Sequence, residues 1–143
     1  MIGADTTFLA QLELVELPAH QAAHQLLARE ILQPQVPLAI APQVLAEFIH
    51  VVTDPRRFQN PLTMETAVAK ARFWWDAAEV QQVFPNHDST VLFLDWMQRH
   101  QLGRKRILDT QLAAMLWSSG VRQILTSNPA DFKIFGFQLL TPR

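Results

Sequence analysis

Four acidic side chains stand beside apolar runs: Asp5 in MIGAD, Glu47 in PQVLAEFIHVV, Asp109 in RILDTQLAAML and Asp131 in LTSNPADF. Carboxylates so far apart along a chain can serve one reaction only if the fold gathers them at one edge of a sheet. Gathered there, they would hold magnesium, whose charge polarises a phosphodiester and lowers the pKa of a bound water. Metal-dependent nuclease chemistry is therefore the leading expectation.

Each acid also has a purely structural reading. Asp109 directly precedes an apolar-periodic helix and Asp5 precedes Thr6, so either could cap a helix, a role worth ~1 kcal/mol. Glu47 shares a helical line with Gln43, His50 and Asp54, a stripe that solvent ordinarily covers. Asp131 lies in a Ser-Asn-Pro-Ala run and could cap a short helical turn before Phe132. Only convergence distinguishes a site from four separate structural roles.

The elements between these acids must supply that convergence. Residues 1–4 are short and apolar and read as a first strand ending at Asp5, followed by a turn or helix. Ala22, Ala23, Leu26, Leu27 and Ile31 recur at helical spacing over 20–32, and Pro34 and Pro37 close that element. Residues 38–41 make a brief second strand, and Pro42 opens the helix that carries Val44, Leu45, Glu47, Phe48, Ile49 and Val52. Residues 54–61, with two prolines and paired arginines, read as a loop. Thr63 caps a helix bearing Ala67, Ala71, Trp74 and Ala78, and 80–84 form a third strand. Asp88 or Ser89 caps a helix through Leu92, Trp96 and Arg99, with Gly103 beyond its end. A helix starting at Asp109 buries Leu112, Ala113, Leu116 and Trp117 until Gly120 stops it, and strands follow at 123–126 and 137–140. Helices alternating with short strands imply a mainly parallel sheet covered on both faces, with sites outside the carboxyl ends of the strands.

A chain of 143 residues with 49% hydrophobic and 17% charged residues has the size and composition of one α/β domain spanning 1–143, with a single core. No apolar run approaches the roughly 20 residues of a membrane span, and Asp5 and Glu13 interrupt any secretory signal, so a soluble cytoplasmic protein is expected. The absence of Cys excludes a disulfide framework, a thiolate nucleophile and a Cys-type zinc site. A net charge of −1 is not the footprint of a protein that coats a duplex. Nucleic acid would be gripped locally. Arg56, Arg57, Arg104, Lys105 and Arg106, five of the twelve basic residues, fall in two short stretches and are the candidates for RNA phosphates, against the alternative of solvated surface. Phe73-Trp74-Trp75 fits core or dimer contacts. His20 and His24 lack the Glu of an H-E-x-x-H helix, and no G-x-S-x-G, Walker A or G-x-G-x-x-G occurs. A phospho-acceptor domain would need adjacent acids after the first strand, which are missing, and a lysine after a late strand, which Lys133 matches poorly.

MIGADTTFL, PQVLAEFIHVVTDPRR, ILDTQLAAMLWSSGVRQILTSNPADF and FQLLTP, in that order, resemble the PIN-domain family, especially its single-domain VapC toxins. The resemblance spans nearly the whole chain and is least diagnostic over 58–104. It implies a three-layer fold with a mainly parallel central sheet, and magnesium-dependent RNA cleavage, with manganese as the substitute ion. Asp5 and Asp109 match the family's principal metal ligands and Glu47 its helix-borne glutamate. The fourth position falls on Asn128, two residues after Thr126, with Asp131 as the competing carboxylate. Thr7 stands where members often carry Asn or Ser. The resemblance further implies a homodimer restrained by a small antitoxin protein that occupies the acidic groove. An RNA-processing nuclease and a non-catalytic protein-binding module are the other readings.

Overall fold

The computed structural model describes residues 1–143. Five strands of three residues each, β1 (Ile2–Ala4), β2 (Leu38–Ile40), β3 (Val80–Gln82), β4 (Gln123–Leu125) and β5 (Gln138–Leu140), pair in parallel in the order β3-β2-β1-β4-β5. The central strands β1 and β2 are buried throughout, as short apolar runs covered on both faces must be, whereas the edge strands carry Gln81, Gln82 and Gln138. Six helices provide the cover: α1 (Thr6–Glu13), α2 (His20–Leu27), α3 (Pro42–Val52), α4 (Met64–Asp76), α5 (His87–Arg99) and α6 (Ile107–Ser118). α1 packs on α2 and α3, α3 packs on α4, and α5 pairs with α6, which gives the three-layer α/β fold. Phe8 and Leu9 of α1, Phe48 of α3 and Leu116 of α6 are fully buried in the one core. No helix is long and apolar enough to cross a membrane.

Local chemistry accounts for most element ends. Thr63 caps α4 by accepting the Thr66 N–H at 3.1 Å, as expected. The cap of α5 is Asn86, not Asp88 or Ser89. Asn86 Oδ1 accepts the Ser89 N–H and Ser89 Oγ accepts the Asn86 N–H, both at 2.8 Å, so the pair satisfies two N-terminal donors reciprocally. The helix expected over 20–32 is α-helical to Leu27 and then widens into a π turn over Ala28–Leu32. Ala78 lies beyond the end of α4, and the third strand stops at Gln82. His20 and His24 donate to the carbonyls of Gln11 and Leu12 at the end of α1, each at 2.8 Å, and so pin α2 there.

Gly3 is where the sheet meets α6. A Cβ at Gly3 would lie 3.0 Å from Leu116 Cδ1 and 3.3 Å from Val121 Cγ1. Gly3→Ala is therefore expected to lower stability by about 1–3 kcal/mol through overpacking, read as a lower midpoint in thermal or chemical unfolding.

Strand order decides where a ligand could sit. From β1 the sheet extends to β2 and β3 on one side and to β4 and β5 on the other. The crevice outside the carboxyl ends of β1 and β4 is the topological switch point of this sheet. Asp5 and Thr126 are the first residues after those two strands.

Candidate active site

Asp5 enters the crevice directly from β1, its N–H bonded to the Leu125 carbonyl of β4 at 3.2 Å. Its side chain is only 5% exposed and accepts three hydrogen bonds: at Oδ1 from the Phe8 N–H (3.0 Å) and the Thr7 hydroxyl (2.7 Å), and at Oδ2 from the Thr126 hydroxyl (2.5 Å). The bond to Phe8 makes Asp5 the N-cap of α1, and that role leaves it in the crevice. Burial pushes the Asp5 carboxyl up to about 6; the bonds from Thr126, Thr7 and Phe8 oppose the shift, and the charge of Asp131 adds to it.

Asp109 is not a helix cap. α6 begins at Ile107, two residues earlier than expected, because the basic turn Arg104–Arg106 runs straight into it. Asp109 thus lies in the first helical turn, half-buried on the crevice. Its carboxyl is also raised to about 6, by burial first and then by the charges of Asp131 and Glu47, with Arg106 opposing and Asp5 adding. The charge of Asp131 raises both Asp5 and Asp109, so these acids share a single field.

Glu47 comes from the middle of α3 and is half-buried rather than solvated. Its Oε2 accepts the Thr6 hydroxyl at 3.3 Å and its Oε1 accepts Gln43 Nε2 at 3.4 Å. The same Gln43 amide donates to the Leu108 carbonyl at 3.1 Å, which ties α3 to the start of α6. The polar stripe of α3 is therefore an interface, and the helical spacing could not reveal its partner.

The turn after β4 completes the wall. Thr126 Oγ1 accepts the Asn128 N–H at 2.9 Å, Thr7 Oγ1 accepts the Ser127 N–H at 3.0 Å, and the Ser127 hydroxyl donates to Gln11 Oε1. Pro129–Asp131 then forms one 3-10 turn, whose Asp131 carbonyl accepts Arg106 Nη2 at 2.5 Å. Asp5, Glu47, Asp109, Asn128 and Asp131 all line one cavity of about 350 Å³. Thr6, His50 and Arg57 share that lining, and of these only Arg57 belongs to the expected set. Thr126, fully buried beneath the cavity, was also missed, although its place at the end of an apolar strand in T-S-N was a usable signal. Thr126→Val keeps the shape but leaves Asp5 Oδ2 and the Asn128 N–H without this partner. A loss of roughly 1–3 kcal/mol is expected in unfolding experiments, with a further rise of the Asp5 pKa by titration NMR.

The basic candidates divide. Arg57 reaches the cavity, Arg56 is turned to solvent with its side chain 85% exposed, and Arg104 and Lys105 are exposed. Arg106, expected on RNA, is half-buried and turned inward to the Asp131 carbonyl. Within Phe73-Trp74-Trp75, Trp74 is core, with its indole N–H on Glu13 Oε1 at 2.8 Å, and Phe73 is exposed.

In kind, the donor set suits a hard divalent cation, since the four carboxylates and Asn128 all offer oxygens. As the side chains stand, no three His, Asp or Glu groups are spaced to enclose an ion. Magnesium does not require that, because it keeps several waters and takes one or two carboxylates. Asp5 Oδ2 accepts a single hydrogen bond and so retains a lone pair for such a role.

No protein-family profile matches the chain, and no curated protein matches it in sequence. Solved structures do share its fold. VapC20 of Mycobacterium tuberculosis, a sarcin-ricin loop cleaving toxin, superposes with a TM-score of 0.75 at 20% identity over 96% of each chain. VapBC-1 of nontypeable Haemophilus influenzae matches with a TM-score of 0.67 at 18% identity, over 99% of this chain and 98% of that one. VapBC2 of Rickettsia felis, bound to a DNA fragment from its promoter, matches with a TM-score of 0.65 at 16% identity, over 99% and 98%. The three-layer PIN-like fold of the VapC toxins is the fold of this chain.

Proposed function

We propose that this chain, built on the fold of the VapC toxins, is a metal-dependent endoribonuclease and the toxin of a toxin–antitoxin pair. The observation that carries the reading is the convergence of Asp5, Glu47, Asp109 and Asp131 in one crevice at the sheet's switch point. A divalent cation, magnesium or manganese, held by Asp5 and Asp109 would polarise the scissile phosphate and lower the pKa of the attacking water. The chain's own groups prepare that site. Thr126, Thr7 and the Phe8 N–H hold the Asp5 carboxylate in one orientation, so it does not reorganise during reaction. Gln43 and Thr6 brace Glu47, whose remaining lone pairs orient the attacking water. Asn128 and Asp131 line the same crevice, one with a neutral oxygen and the other with a charge. In-line attack leaves 5′-phosphate and 3′-hydroxyl ends.

A small antitoxin that covers this crevice is the corresponding partner, and the shared fold with VapBC-1 and VapBC2 supports it. Homodimerisation is part of the same reading. The test is incubation of labelled RNA with the purified chain in magnesium, in manganese and in EDTA, followed by analysis of the ends. Cleavage in either metal, absent in EDTA and lost in Asp109→Asn, is expected. Tight magnesium binding with no cleavage of any RNA would leave a binding module in its place.

A further inference from the structure

Four carboxylates against one guanidinium leave the crevice wall with three negative charges when all its acids are ionised, and a single divalent cation leaves one. A polyanion entering it needs local positive charge beyond the metal. Arg57 is the one Arg or Lys in the lining, which also includes His50, the last polar group of α3 to face the crevice.

Asp54, just past the end of α3, fixes where that guanidinium goes. Its side chain is 10% exposed. Oδ1 accepts the Arg56 N–H at 2.9 Å and Arg56 Nε at 3.2 Å, while Oδ2 takes Arg56 Nη2 and Arg57 Nε, each at 3.4 Å. The Arg57 N–H is bonded to the Asp54 carbonyl at 3.1 Å, so main chain and side chain are both tethered to one residue. The Arg56 hydrogen bonds hold Asp54 below the usual carboxylate range, and the clamp is charged at neutral pH with or without them. Arg56 spends two of its side-chain nitrogens on Asp54 and points to solvent. Arg57 spends only Nε, and its terminal N–H groups remain for a ligand in the crevice.

We infer that Arg57 binds the RNA phosphodiester adjacent to the one being cut, and that Asp54 is the positioning residue that aims Arg57 into the crevice. The inference rests on the nuclease reading above. It separates Arg57 from Arg56, its sequence neighbour of identical chemistry.

Steady-state RNA cleavage in magnesium, over a range of salt concentrations, tests it with wild type, Arg57→Gln, Arg56→Gln, Asp54→Asn and the double variant Asp54→Asn/Arg57→Gln. Arg57→Gln is expected to raise KM about tenfold, to change kcat less than about threefold and to reduce the salt slope by about 0.7, the loss of one phosphate contact. Arg56→Gln stays within about twofold of wild type, and Asp54→Asn raises KM by about threefold. The double variant is no worse than Arg57→Gln alone, because Asp54 acts through Arg57. An unchanged KM and salt slope in Arg57→Gln overturns the inference, as does an equal effect of Arg56→Gln or additivity in the double variant. The Arg57 side chain is 58% exposed, so Arg57→Gln keeps the fold and decides the question even if Asp54→Asn unfolds. A wild type that cleaves no RNA removes the nuclease reading and this inference together, whereas a cleaving wild type with an indifferent Arg57→Gln removes the inference alone.

Discussion

Asp5→Asn is expected to lower RNA cleavage by at least ~10³-fold while leaving the protein as stable as the wild type, or more stable, in metal-free buffer at pH 7. The two effects have one origin. Asp5 is almost fully buried, and burial raises its carboxyl from 3.8 to about 6, so holding it ionised at neutral pH costs free energy. Asn has the same shape and can still accept from Phe8 and Thr7 through its oxygen. Its amide meets Thr126 Oγ1, a hydroxyl that accepts as well as donates. Removing the charge thus relieves roughly 1–3 kcal/mol in the folded state. It also removes the anionic donor that the proposed chemistry requires. Asp5→Ala separates charge from shape, because it strands the Phe8 N–H and two hydroxyls at a cost of about 1–3 kcal/mol for each buried group left unpaired. Unfolding midpoints and a cleavage assay on the same preparations measure both effects. Wild-type cleavage by Asp5→Asn, or a destabilisation equal to that of Asp5→Ala, would count against the assignment.

A second large effect concerns pH. Without metal, stability is expected to fall as pH rises from about 4 to about 6. Asp5 and Asp109 both move from 3.8 when unfolded to about 6 when folded. Between those values the folded state binds more protons than the unfolded state, so each rise in pH favours unfolding. Below the window both states are protonated and the penalty is absent, and above it the penalty is complete. For Asp5 alone the shift corresponds to roughly 3 kcal/mol, and Asp109 acts in the same direction. Asp54 is shifted down instead, so its contribution is present above its unfolded pKa and is lost only as pH falls through the lower folded value, outside this window. Magnesium should reverse the trend. Bound to the ionised carboxylates as proposed, at a hundred times its Kd it would add about 2.7 kcal/mol, most effectively above pH 6. Urea midpoints at several pH values, in EDTA and in magnesium, give the comparison. A metal-free profile that is flat or rises across the window would show that the two acids do not share a buried, mutually repelling site.

Much of the architecture was legible because it is written in local rules. All five strands and their parallel arrangement follow from short apolar runs alternating with helical periodicity, and Thr63, Pro42 and Gly120 mark ends that local backbone chemistry sets. Where several residues could meet the same local need, the boundary was misplaced, as with Asn86 taking the cap from Asp88 and Ser89. The cap reading open to Asp109 fails because the triplet Arg104-Lys105-Arg106 winds into the helix ahead of it, which no local signal announces.

Of the candidate site, residue types and their setting marked Asp5, Glu47, Asp109 and Asp131, and the family resemblance set Asn128 against Asp131 for one position. The fold puts both on the crevice wall. It also makes Asp5 a helix cap that lines the crevice, two placements that had looked like alternatives. What the sequence by itself determined was which elements form and which polar residues fall at their ends, since periodicity, turn residues and caps act over a few positions. Tertiary structure alone decided which neighbours those residues meet. The Thr126 hydroxyl on Asp5 spans 121 positions, the Arg106 guanidinium on Asp131 spans 25, and the three identical side chains Arg56, Arg57 and Arg106 end in solvent, in the crevice and in the protein wall. Burial, pKa and the direction of a side chain are properties of such long-range neighbours, and no local pattern encodes them.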